Sequence, residues 1–206
     1  MMKAVFFDLG NVLIKIHHGK VLRFVRLLRR HADSSCTPIP VPQWFDDLWG
    51  EWHTQFNDGR LTERDFLNCF KKKYRLHIET AVFWRGWNSF FSPWKPMLKL
   101  MQQLRSQYHV GLISNTNPPH YRYCREQIPQ LAGLHSITLS YTVGVNKPDK
   151  QIYQSALTAA GVTPNEAVFI DDIADNIAGA AAIGMHGIQC ISYQQVRRAL
   201  MKIGIL

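Results

Sequence analysis

Ala4-Val5-Phe6-Phe7-Asp8-Leu9-Gly10-Asn11-Val12-Leu13-Ile14 is the stretch whose reading decides the fold. Its first residues are apolar, with two aromatics and a β-branched valine, which suits a short buried strand better than a helical turn. A carboxylate follows at once, then a glycine and an asparagine of the kind that form loops. Open α/β sheets bind ligands outside the carboxyl ends of their strands, so Asp8 is expected at the mouth of a site. A carboxylate there can act as a nucleophile, as a metal ligand, or as both.

From residue 95 onward helices and strands alternate. Residues 96–107 read as a helix with Met97, Leu98, Leu100, Met101 and Leu104 on its apolar side. Residues 109–113 read as a buried strand ending at Ser114-Asn115-Thr116-Asn117, and 118–127 as a helix. A strand over 136–140 and a loop over 141–146 lead to Lys147-Pro148, after which 148–160 read as a helix closed by Gly161. A strand over 167–170 runs straight into Asp171-Asp172; 173–183 form a small-residue helix, 187–191 a strand and 194–203 a last helix. This alternation predicts an α/β protein with a doubly wound parallel sheet.

Residues 16–91 differ in character. They lack strand-like alternation and carry aromatics at helical spacing, among them Trp44, Trp49, Trp52, Phe56, Phe66, Phe70 and Trp87. Breaks are expected at 34–42, where three prolines cluster, at 57–59 and at 92–93. Thr62 and Asp65 resemble a capping box that opens a helix. The expected division is therefore a core of residues 1–15 and 92–206, with a helical insert over 16–91 whose aromatics form its own core.

The chain's 206 residues, 46% of them apolar and 19% charged, suit a globular protein with one sizeable core and room for an insert. No apolar run reaches the roughly 18 residues of a membrane span, and Asp8 interrupts the only candidate signal sequence. Cys36, Cys69, Cys124 and Cys190 form no CxxC pair and read as reduced thiols, from which a cytoplasmic location is expected. The net charge of +9 favours anionic partners. Much of it lies with Lys20, Arg23, Arg26, Arg29 and Arg30 on the polar face of an amphipathic helix. No nucleic-acid signature accompanies it, so a solvated face is preferred to an RNA or DNA stripe.

Asp8, Ser114, Lys147 and the Asp171/Asp172 pair each follow a predicted strand or loop that opens on the same crevice. Phosphate esters repel nucleophiles, so a site that cleaves them needs a positioned nucleophile and cations that absorb charge. Asp8 can attack phosphorus, the clustered carboxylates suit Mg²⁺, Ser114 and Asn115 can donate hydrogen bonds to phosphoryl oxygens, and Lys147 supplies positive charge. Each piece has a plainer reading as a turn, a surface loop or first-turn helix charge. Their occurrence together and in order favours the chemistry.

Four stretches resemble the signatures of the haloacid dehalogenase superfamily: Phe6-Phe7-Asp8-Leu9-Gly10-Asn11-Val12, Leu112-Ile113-Ser114-Asn115-Thr116, Lys147-Pro148-Asp149-x-x-Ile152-Tyr153 and Val168-Phe169-Ile170-Asp171-Asp172-x-x-Asp175-Asn176. Within it the chain is most similar to bacterial sugar-phosphate phosphatases of the α-glucose-1-phosphate type and the N-terminal phosphatase domain of soluble epoxide hydrolase. The resemblance implies a Rossmann-like core, with the 16–91 insert as a helical cap. It implies a Mg²⁺-dependent phosphatase that forms an aspartyl-phosphate on Asp8 and acts on a small phosphorylated metabolite, a sugar phosphate being expected. Asp8, the Gly10 carbonyl and Asp172 would hold the metal, with Asp171 assisting. Ser114, Asn115 and Lys147 would bind the phosphate beside Gly10 and Asn11, and Asn176 would orient the acidic loop.

The sequence departs from this pattern at Gly10, where most family phosphatases carry a second aspartate that protonates the leaving oxygen. General acid–base help of that kind is worth about 10²–10⁴-fold. Good leaving groups, such as anomeric sugar phosphates or acyl phosphates, are therefore expected to be favoured over simple alkyl esters. His17 and His18 are the nearest substitute acids, although solvent-facing positions are preferred for them. Three other readings compete: a metal-free dehalogenase, which has no use for adjacent carboxylates that repel each other; a non-catalytic binding module; and a nucleic-acid-binding protein. Oligomeric state leaves no mark on the sequence.

Overall fold

The computed structural model describes residues 1–33 and 40–206; Cys36 and most of the proline-rich break at 34–42 lie outside them. Seven strands are formed among these residues: β1 (Ala4–Phe7), β2 (Ile14–Ile16), β3 (Phe91–Pro93), β4 (His109–Ser114), β5 (Ser136–Leu139), β6 (Ala167–Asp171) and β7 (His186–Gln189). The main sheet has the order β5-β4-β1-β6-β7, and every neighbouring pair is parallel. β1, the strand read first in the sequence, is therefore central.

The helices are α1 (His18–Arg30), α2 (Val41–Trp49), α3 (Glu51–Asn57), α4 (Glu63–Tyr74), α5 (Thr80–Trp87), α6 (Lys95–Leu104), α7 (Pro118–Gln127), α8 (Ser140–Val143), α9 (Lys150–Ala160), α10 (Ala174–Ala182) and α11 (Tyr193–Lys202). Side chains alternate across the sheet. Val5, Phe7, Val110, Leu112, Val168 and Ile170 pack on one face with residues of α6 and α11. Ala4, Phe6, Ile113, Ala167 and Phe169 pack on the other with residues of α9 and α10. Burial on both faces explains why these strands read as continuous apolar runs instead of alternating ones. The doubly wound α/β sheet is thus as expected.

A third apolar cluster is built almost wholly from α1 to α5. Trp44 stacks on Tyr74 at 3.6 Å and Phe56 on Phe66 at 4.5 Å, with Phe24, Phe83 and Trp87 around them. The Tyr74 hydroxyl donates to the Asp47 carboxylate, and Lys73 reaches the same group at 2.7 Å. α4 opens with the anticipated capping box: Thr62 Oγ1 accepts from Asp65 N–H at 3.1 Å, and Asp65 Oδ2 accepts from Thr62 N–H at 3.2 Å. α1 buries Val21, Phe24, Val25 and Leu28 and leaves Arg23, Arg26, Arg29 and Arg30 exposed. Three described cysteines, Cys69, Cys124 and Cys190, are free thiols.

Two local features differ from the sequence reading. Residues 14–16 and 91–93 form a short antiparallel ribbon, with Ile14 opposite Pro93 and Ile16 opposite Phe91. Strands this brief contain too few residues for alternation to register. The stretch 141–146, read as a loop, begins instead within the short helix α8, which ends at Gly144 in the left-handed conformation, φ +86°. No helix among the described residues is long and apolar enough to cross a membrane.

Candidate active site

Three adjacent strands end at the same level and deliver three of the anticipated residues. Ser114 closes β4, Asp8 follows β1, and Asp171 closes β6. Asp8 N–H donates to Ile170 O at 2.8 Å, which carries the ladder one residue past the strand and fixes the carboxylate's direction. Asn11 turns the loop at φ +51°, a left-handed conformation that asparagine tolerates better than most residues.

Lys147 arrives from the loop between α8 and α9, immediately before a cis peptide bond to Pro148. Its Nζ lies 2.6 Å from Asp8 Oδ1, 2.6 Å from Asp171 Oδ2 and 3.0 Å from Ile113 O. An ammonium has three N–H donors, so all of them are engaged within the protein. Lys147 can therefore offer a phosphoryl group its charge, but in this geometry no hydrogen bond. Burial works against the Lys147 ammonium, yet the two carboxylates together hold its pKa above the ordinary lysine value. Burial likewise pushes the Asp8 carboxyl up to about 7, against the pull of Lys147 and with Asp171 adding to the rise.

The supporting residues take clear positions. Asn115 brackets the Lys147 backbone, accepting from its N–H at 2.7 Å and donating to its carbonyl at 3.0 Å. Asn115 thus positions the lysine and retains a second Nδ2–H. Asn11, expected against substrate, gives its Nδ2 to Asp172 Oδ2 at 3.0 Å. Asp171 is fully buried and uses both oxygens: Oδ1 accepts from Ile173 N–H at 2.8 Å, Oδ2 from Lys147 and from Asn176 Nδ2 at 3.0 Å. Asn176 is itself anchored by the Tyr153 hydroxyl at 2.8 Å. Ser114 is buried in the wall of one cavity, and Gly10 lines both that cavity and the one that holds Asp8 and Asp172.

One oxygen each of Asp8, Asp171 and Asp172 lie within 4.8 Å of one another. Asp8 and Asp172 both keep an oxygen outside the side-chain hydrogen bonds described above, whereas Asp171 does not. The acidic cluster outnumbers the ammonium that touches it, and a hard divalent cation would offset the surplus negative charge.

The other half of the cleft escaped sequence reading. Of the candidate aromatics, Trp49 lines both cavities at the site, while Phe56 and Trp87 are buried in the helical insert and Trp52 packs on Phe70. His53 and His120 stand beside Trp49 and had not been singled out at all. His120 stacks on Trp87 at 4.8 Å, and its ring nitrogens meet Asn117 Nδ2 and Trp87 O, each at 3.2 Å. Asn117 Nδ2 also donates to Asn57 Oδ1 at 3.0 Å, which ties α7 to α3. Burial pushes His53 down to about 4 and holds His120 well below the usual histidine range. An isolated histidine in an aromatic helical stretch carries no local signal of such a placement. His17, weighed as an acid from the hinge, instead bonds Ser92 Oγ at 2.6 Å across the ribbon, and His18 is exposed.

A model of haloacid dehalogenase-like hydrolases matches residues 2–184. The chain belongs to this hydrolase family. It is 26% identical to D-ribitol-5-phosphate phosphatase of Bacteroides thetaiotaomicron, with 92% of each chain covered. It is 32% identical to a Mycobacterium tuberculosis phosphatase, over 89% of this chain and 85% of that one. Among solved structures it resembles a family enzyme of Bacteroides thetaiotaomicron crystallised with magnesium and inorganic phosphate. That match has a TM-score of 0.77 at 24% identity and covers 92% of this chain and 94% of the other.

Proposed function

We propose that this hydrolase is a Mg²⁺-dependent phosphatase that transfers a phosphoryl group from a small metabolite to Asp8 and then to water. The observation that carries the reading is the buried array of Asp8, Lys147, Asp171 and Asp172 at the carboxyl ends of the central strands. The phosphatase relatives support it. Mg²⁺ would be held by one oxygen each of Asp8 and Asp172 and by the Gly10 carbonyl, and when bound it would absorb phosphoryl charge.

The chain's own residues account for the remainder. Lys147 keeps the Asp8 carboxylate in one orientation through its 2.6 Å contact, which aims an Asp8 oxygen for attack. Asn115 holds Lys147 in place, and Asp171 anchors it from the opposite side. Ser114 would donate to a phosphoryl oxygen from the end of β4. Helices α1 to α5 serve in this reading as the cap that closes over the substrate, and the leaving group lies on the Trp49 side of the cleft.

A metal-free dehalogenase is the lesser reading, because the acidic surplus would then stand uncompensated. The test is Mg²⁺-supplemented hydrolysis of p-nitrophenyl phosphate and acetyl phosphate, with intact-protein mass measured after rapid acid quench. Turnover that EDTA abolishes, with a phosphate adduct on the peptide containing Asp8, is the expected result. Undiminished activity in EDTA, or inertness of the folded protein toward both esters, would sink the proposal.

A further inference from the structure

Two cavities meet at Gly10, Ile16, Trp49, His53 and Asn115, and they differ in chemistry. The larger, about 370 Å³, contains Asp8, Lys147 and Asp172. The smaller, about 90 Å³, runs from Ser114 between Ile14, Phe90 and Phe91 toward the insert. Phosphate belongs with the charged groups and with Ser114 at the mouth of the smaller cavity, whose apolar remainder offers the leaving group a place.

Its polar side chains, the Ser114 and Thr116 hydroxyls excepted, already have a partner. Asn115 is closed on the Lys147 backbone, both ring nitrogens of His120 are engaged, and the backbone of Thr116 is bracketed by Ser140. Asn57 Nδ2 sits 3.4 Å and 3.3 Å from the two ring nitrogens of His53. With Ser114 given to phosphate, a polyol would bring more hydroxyls than the Thr116 hydroxyl and the second Asn115 N–H can satisfy, and a buried hydroxyl without a partner is costly. The lining also holds no carboxylic acid, lysine, arginine or tyrosine. A departing group would therefore leave without a proton, which an alkoxide does badly and a carboxylate does well.

Building on the phosphatase reading, we infer that the substrate is a short-chain acyl phosphate with an unsubstituted hydrocarbon tail. Size and chemistry agree. A cavity of ~150 Å³ takes benzene, so the smaller space here suits a tail of a few carbons. In the reaction an Asp8 oxygen bonds to phosphorus while the bond from phosphorus to the acyl oxygen breaks, its electron pair leaving on the carboxylate. Water then attacks the aspartyl-phosphate and Asp8 departs as carboxylate. One proton of the water remains on the phosphate and the other passes to solvent.

The series acetyl, propionyl and butyryl phosphate tests this, because leaving-group acidity is nearly constant while methylenes are added. With Mg²⁺ present, kcat/KM should climb about fourfold per methylene until the cavity is full. 3-Hydroxybutyryl phosphate should fall at least about fivefold below butyryl phosphate, and n-butyl phosphate and ribitol 5-phosphate at least about 100-fold below it. Trp49→Ala removes a half-exposed wall residue without opening the core and should flatten the climb to below about twofold per methylene. A flat or falling series, or a polyol phosphate outrunning butyryl phosphate, overturns the inference while turnover of acetyl phosphate leaves the phosphatase reading standing. Should every ester prove inert, calorimetry still decides on the pocket: propylphosphonate must bind at least about fivefold tighter than 2,3-dihydroxypropylphosphonate, and equal or reversed affinities refute the apolar subsite.

Discussion

The two sides of the cleft are built on opposite principles. The phosphoryl side is rigid and charged, with carboxylates and an ammonium anchored to strand ends and to one another by hydrogen bonds of 2.6–3.0 Å. The side proposed for the leaving group is largely apolar and carries no charged side chain, walled by aromatics from the insert and the ribbon and by histidines whose burial disfavours the protonated form. The contrast separates two tasks. Reaction type is set where charge must be placed to a fraction of an ångström, and selectivity where shape and the lack of partners exclude wrong groups.

Four perturbations probe this division. The largest effect is expected from Asp8→Asn, which removes the attacking oxygen: kcat should fall about 10⁴-fold with the far-ultraviolet circular dichroism spectrum unchanged. Retention of a tenth of the activity would move the nucleophile elsewhere. Next is Lys147→Met, which leaves Asp8 and Asp171 facing each other without their shared cation. Breaking such a buried pair costs about 3–5 kcal/mol, measurable as a lower urea midpoint. A loss below about 1 kcal/mol would mean that the array is far better hydrated than its burial implies.

Acid should act through the neutral side. His53 binds its proton near pH 4 when folded but near 6.5, the ordinary histidine value, when unfolded. Between those values the unfolded chain holds the extra proton, so stability rises with pH and is lost as pH falls through this window. The contribution from His53 is on the order of 3 kcal/mol. Urea midpoints at pH 7.5 and 4.5 should show the loss in the parent and a smaller one in His53→Gln; equal losses would place that histidine in water. The smallest change is a gain. A side-chain carbon at Gly10 would meet Asp8 Oδ2 and Ile16 Cδ1 at 3.6 Å each, ordinary contact distances, and the backbone there needs no glycine. Gly10→Asp should therefore raise kcat for n-butyl phosphate about 100-fold and leave butyryl phosphate nearly unaffected. An equal rise for both would show that acyl transfer also depends on a proton donor.

The sequence made the charged side readable for a physical reason. Asp8, Ser114 and Asp171 each end an apolar run, because the sheet buries both faces and releases polar side chains only at its edge. The contacts of Asn115 and Asn11 within the protein left no trace in the sequence, since their hydrogen bonds to Lys147 and Asp172 cross 32 and 161 positions of chain. The neutral side left even less trace. Trp49, His53, Phe91 and His120 come from four separate elements or their junctions, and helical spacing marks each aromatic as core material whichever way it points. The ribbon β2·β3 was missed because a three-residue strand lacks periodicity.

That ribbon has an evolutionary corollary. The chain departs from the sheet at Ile14–Ile16 and returns at Phe91–Pro93 along the same hydrogen-bonded track. An excursion whose two ends are already neighbours imposes a closure cost that grows only logarithmically with its length. Everything between those ends can be lengthened, trimmed or exchanged for another design while the strand-end chemistry stays put, so new specificities need no new catalyst.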